Sequence, residues 1–106
     1  MAITNALIES SAKTVVFNAT GENAITCMVL CNSSLTTAAT VRVWVVPGAE
    51  AVANKHIIIN EVNLPAGETF SMDTERFILS DGDTIQAQAS QDVIVAMTVS
   101  YVQTAG

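Results

Sequence analysis

The sequence predicts an all-β protein: about eight short strands arranged as two packed antiparallel sheets. Three observations carry this. No segment of ten or more residues places apolar side chains at helical spacing. β-Branched residues come instead in short runs, and Gly, Pro, Asn, Asp and Ser clusters separate those runs at the close, even spacing of a sandwich. At 106 residues the chain is long enough for one modest core and too short for two, so a single sandwich over residues 13–106 is expected.

Taken in order, the first dozen residues, MAITNALIESSA, carry Ile3, Leu7 and Ile8 but no turn chemistry tying them to the strand that starts near Lys13. They fit an N-terminal arm laid on a neighbouring subunit or an edge strand of the same sandwich. Strands are then predicted over 13–19, 24–32, 39–46, 56–63, 68–72, 75–79, 84–90 and 93–102. The connections NATGEN, NSSLTT, VPGAEAVANK, LPAGE, LSDGD and SQD all carry turn formers. LSDGDTI at 79–85 and LPAGETF at 64–70 share one grammar: an apolar residue, a Gly-centred corner with a following carboxylate, Thr, and an apolar residue. Gly82 supplies the positive φ of a tight corner, and the flanking Asp81 and Asp83 bond nearby amides. They are expected to be turn residues that asparagine replaces with little effect, since Asp-Gly-Asp alone supplies too few oxygens for a calcium loop.

Charged residues make up 13% of the chain against ~25% in typical soluble proteins, so little surface charge keeps a free monomer in solution. Ten carboxylates face four scattered basic residues, Lys13, Arg42, Lys55 and Arg76, for a net charge of −6. Nucleic-acid binding needs clustered cations and is not expected. No apolar run approaches the ~20 residues of a membrane span, and the N-terminus lacks the basic start and long apolar centre of a signal peptide.

Cys27 and Cys31 would lie about 13 Å apart on a strand rising ~3.3 Å per residue, too far for a disulfide between them. With His56 as the one histidine, they make no metal set, and buried free thiols are expected. His56 has no acid nearby on its own strand face, Glu61 falling on the opposite side, so no nucleophile, base and acid assemble. Phosphate-binding and metalloprotease motifs are absent, and the expectation is a non-enzyme without cofactors.

The informative signal is apolar residues on both faces of a strand, where a two-layer sandwich needs only one. In ITCMVLC, one face carries Ile25, Cys27, Val29 and Cys31, and the other Met28 and Leu30. In the last strand Ile94 and Ala96 oppose Val93, Val95 and Met97. In TVRVWVV the inward set is Val41, Val43 and Val45, which puts Arg42 and Trp44 outside. A Trp beside an Arg has the composition of an interface anchor, unless a loop of the same chain folds over it or the parity is reversed. Ile3, Leu7, Met28, Leu30, Arg42, Trp44 and Ile94 are therefore the expected interface residues of a homo-oligomer.

The stretch VNLPAGETFSMDTERFILSDGDTIQAQASQDVIVAMTVSYV at 62–102, preceded by TVVFNATGENAITCMVLCNSSLTTAATVRVWVVP, resembles small structural, fibre and decoration modules of tailed bacteriophages. The likeness is one of corners and strands over about residues 13 to 102. It implies a jelly-roll-like β-sandwich, a homo-oligomer that is commonly a trimer, assembly in the host bacterial cytoplasm, and residence in the virion. Since the chain is one module long with no fibrous stalk, a capsid cement or decoration protein bound to neighbouring capsid subunits is the leading expectation. A tail, baseplate or fibre-adaptor component is the alternative. A carbohydrate-binding module is a third, disfavoured because Trp44 and Tyr101 are the only aromatics besides three Phe.

Overall fold

The computed structural model describes residues 2–48, 50–72, 77–92 and 94–105. The strands are β1 (Ala2–Ile8), β2 (Thr14–Asn18), β3 (Glu22–Asn32), β4 (Ala39–Val46), β5 (Ile57–Leu64), β6 (Thr69–Met72), β7 (Phe77–Leu79), β8 (Thr84–Ala89) and β9 (Val95–Ala105). A 3-10 turn, Asn54–His56, leads into β5. The expected strand starts at Glu75 and Val93 lie outside the described residues, as does Arg76.

Pairing is antiparallel throughout and nested. β4 pairs with β5, β3 with β6 and β7, β2 with β8, and β1 with β9. The chain is thus one long hairpin folded at the loop between β4 and β5. Wrapping that hairpin places β9 beside β3 and β8 beside β4, and yields two sheets in the orders β1-β9-β3-β6, with β7 also on β3, and β2-β8-β4-β5. The result is a β-sandwich with jelly-roll strand order. The first dozen residues include an edge strand of this sandwich, with Ile3 opposite Ser100 and Leu7 opposite Ala96.

The core between the sheets is filled from alternate strand positions, among them Val41 and Val43 of β4, Ile85, Ala87 and Ala89 of β8, and Val95, Met97 and Val99 of β9. Phe17 meets Tyr101 at a ring-centroid distance of 4.6 Å. Asn32, 1% exposed, is a buried polar side chain with all its needs met. Its Nδ2 donates to Thr37 O at 2.8 Å and Leu64 O at 3.0 Å, and its Oδ1 accepts from Ser34 N at 3.0 Å. It therefore ties the end of β3 to the next loop and to the end of β5.

Irregularities in three strands change which side chains point inward. In β3 the register against β9 shifts between Ile25 and Cys27, and an extra residue there reverses the alternation. Ile25 is inside, and past the shift so are Met28 and Leu30, 3% and 1% exposed. This corrects the expected interface role of Met28 and Leu30: they belong to the chain's own core, and Cys27, Val29 and Cys31 point the other way. In β2 a shift between Val15 and Phe17 turns both Val16 and Phe17 inward and leaves Val15 outside. In β5 two shifts against β4 accompany a positive φ of 63° at Glu61. Such a φ is uncommon for a non-glycine residue and fits an extra strand residue.

Candidate functional site

β4 is regular against β8, so Arg42, Trp44 and Val46 do lie on the outer face of the second sheet. Trp44 is nevertheless only 5% exposed. Lys13 Nζ sits 4.9 Å from its ring centroid, Gln86 and Ile57 flank it in register, and the Asn54–His56 turn packs against its strand. The expectation of an exposed Trp44 anchor is thereby corrected. The chain covers the ring itself, which also removes the one outward tryptophan a sugar platform would use. Arg42 is exposed and directs its charge at Glu61, with Nη2 2.6 Å from Oε2. Both side chains are about half exposed, so solvent screens the pair.

Beside this face His56 is buried. Ala53 N donates to its Nδ1 at 2.9 Å, so the ring proton is on Nε2 and points at Glu50 Oε1, 3.0 Å away. Lys55 Nζ lies 3.0 Å from the same oxygen. The hydrogen bond from Lys55, then that from His56, holds the Glu50 carboxyl below its ordinary pKa. Both imidazole nitrogens are thus engaged in closing the loop between β4 and β5.

Asp81 and Asp83 form a clamp of the same kind. Asp81 Oδ1 accepts from Gly21 N at 2.9 Å, while Asp83 Oδ1 accepts from Gly48 N at 2.9 Å and Oδ2 from Ser80 N at 2.8 Å. Carboxylates that face amide protons present no open oxygen cage to a cation. No group of three or more His, Cys, Asp or Glu able to hold a metal occurs among the described residues.

The feature that remains is the outer face of the first sheet. Register places its outward side chains in four rows: Leu7, Ala96, Cys31, Thr69; then Asn5, Thr98, Val29, Ser71; then Ile3, Ser100, Cys27; then Val102, Ala24, Ile78. None of the four rows holds a charged residue. Of the described charged residues only Glu22 falls within a strand of this sheet, at its end opposite Ala105. The two middle strands show short side chains, and the outer strands carry long aliphatics that stand in solvent: Ile3 is 64% exposed, Leu7 51% and Ile78 62%. Three exposed large aliphatics on an uncharged face make it the candidate interaction surface of the molecule.

Two expected interface residues, Ile3 and Leu7, are thus together on one face, and Arg42 is exposed on the opposite sheet. Ile94 is half-buried against the core. Ile78, Val29 and Val102 were not anticipated. Ile78 was legible as the outward residue of FIL, whereas Val29 depended on the parity reversal near Thr26.

No family model matches the chain, and neither a curated protein nor a solved structure is similar to it.

Proposed function

We propose that the protein is a non-enzymatic virion structural protein of a tailed bacteriophage, a capsid cement or decoration protein that acts by binding. The observation that carries the reading is the uncharged outer face of the first sheet, set on a jelly-roll whose clustered polar side chains hold its loops together. Fold alone assigns no function, since sandwiches of this kind host many. The virion assignment draws on the resemblance of residues 13 to 102 to phage modules, and the low charge of the chain suits a protein that works inside an assembly. Binding would stabilise neighbouring capsid subunits by burying apolar area on their outer surface.

Cryo-electron microscopy of particles from a host carrying the gene, with gold-labelled antibody against the chain, tests this. Density and label over the head are expected, together with rebinding of the purified protein to stripped particles. Label at the tail would move the protein to the baseplate or fibre-adaptor class. Absence from particles would overturn the proposal.

A further inference from the structure

We infer that the outer face of the first sheet is occupied by a second copy of this chain, packed face to face about a two-fold axis. The inference rests on that face being a docking surface but not on the virion assignment. Charge is the first argument. Each chain carries a net −6, so two copies repel unless they meet where no carboxylate is brought against another. The four rows from Leu7 to Ile78 offer such ground. On the outer face of the second sheet, by contrast, the Arg42–Glu61 pair would have to be desolvated.

Shape is the second argument. Ile3 and Leu7 form a ridge along the edge strand β1, beside a trough of short side chains on β9 and β3: Ala96, Thr98, Ser100, Cys27, Val29 and Cys31. A ridge next to a trough is self-complementary under a two-fold rotation, because each copy's ridge enters the other's trough. Two sheets packed in this way stand about 10 Å apart and make a new apolar layer between subunits. Asn5, Thr98 and Ser71, which share one row, supply hydrogen-bonding groups at its centre.

Area is the third. Four strands spaced ~4.8 Å, over the ~20 Å from Ala96 to Val102, give roughly 500 Å² per copy once side chains at the margins are included. The total of about 1,000 Å² reaches the threshold for a specific interface. One face of this area takes one such partner, so the two-fold packing specifies a dimer rather than the trimer that the phage resemblance implies.

The test is the mass of the full chain by multi-angle light scattering and native mass spectrometry at micromolar concentration. Twice the 11.1 kDa chain mass is expected. Thr98→Lys or Val29→Lys, at the centre of the face, should weaken self-association at least 100-fold and return the 11.1 kDa species. Val15→Lys, outward on the other sheet, should leave the dimer intact. A wild-type monomer or trimer overturns the inference, as does a dimer indifferent to Thr98→Lys or equally sensitive to Val15→Lys.

Should the lysine variants fail to fold, alkylation of Cys27 and Cys31 in the unmodified protein decides. Their rate should fall about tenfold as the protein is concentrated through its dissociation range, and a concentration-independent rate counts against the dimer. A monomer that still binds particles would sink the dimer and leave the virion assignment standing. A dimer absent from particles would do the reverse.

Discussion

Replacing Asp83 by Asn should destabilise the protein several times more than replacing Asp81 by Asn, although both flank the same glycine in the same corner. The two carboxylates differ in how many oxygens they use. Asp83 uses both, Oδ1 on Gly48 N at 2.9 Å and Oδ2 on Ser80 N at 2.8 Å, and so joins the end of β7 to the loop after β4. Asn has one acceptor oxygen, and its amide would turn N–H groups toward whichever backbone amide the oxygen cannot reach. Asp81 uses Oδ1 alone, on Gly21 N, and an Asn oxygen can take that place. A hydrogen bond to a charged group contributes about 1.5–3 kcal/mol, and the corner is open enough for water to recover part of the loss. Asp83→Asn should therefore cost about 1–2 kcal/mol and Asp81→Asn under about 0.5 kcal/mol. At about 4–8 °C per kcal/mol for a domain near this size, the first variant loses roughly 5–15 °C in Tm and the second a few degrees at most. Urea titration and calorimetry of both variants and of the pair measure it, with calcium expected to shift neither midpoint. Equal losses for the two variants, or a neutral Asp83→Asn, would refute the count of acceptor oxygens. A neutral Asp83→Asn, with Asp81→Asn neutral as well, would match the sequence-based expectation that asparagine replaces both aspartates with little effect.

Asn32→Ala should cost about 2–4 kcal/mol in chemical denaturation, because the carbonyls of Thr37 and Leu64 and the amide of Ser34 lose their partner at once; a loss under about 1 kcal/mol would show that water enters there. Trp44→Ala should cost about 3–5 kcal/mol while leaving the oligomeric mass unchanged, since the ring is buried by its own chain on the sheet opposite the uncharged face. Glu50 has a folded pKa below its ordinary 4.5, so its contribution is present above that value and is lost as pH falls through the lower folded value. Melting curves from pH 7 down to about 3 should show wild type losing an advantage over Glu50→Gln only at the acid end, and a gap that is constant with pH would contradict the assignment.

How far the sequence carried depended on whether a feature was local. Turn chemistry is local: Gly82 and Gly67 have positive φ where LSDGDTI and LPAGETF required it, and the strands between corners fell within a few residues of their predicted limits. Pairing is not local, yet the nested order is dictated once the loop between β4 and β5 is the fold point, because each later strand then meets an earlier one in reverse. What escaped were events that depend on a partner strand. Nothing in KHIIINEVNL marks Glu61 as the residue to take φ of 63°, and nothing in AITCMVL marks the position near Thr26 where the alternation reverses.

That reversal matters most for the candidate site. Without it Ile25, Cys27, Val29 and Cys31 would line one face, and the same strand would have to bury either its cysteines or Met28 and Leu30, leaving the other set in water. With it, Ile25, Met28 and Leu30 all enter the core, and the outward set shrinks to Ala24, Cys27, Val29 and Cys31. The Thr26 hydroxyl, 2.7 Å from Ser100 Oγ and 3.2 Å from Ser100 O, links the shifted residue to β9. A one-residue shift therefore does two things: it brings the large side chains of Met28 and Leu30 into the core beside Ile25, and it leaves the middle of the sheet with short outward side chains. The large aliphatic side chains left in solvent on this face belong to the edge strands β1 and β7 rather than to β3.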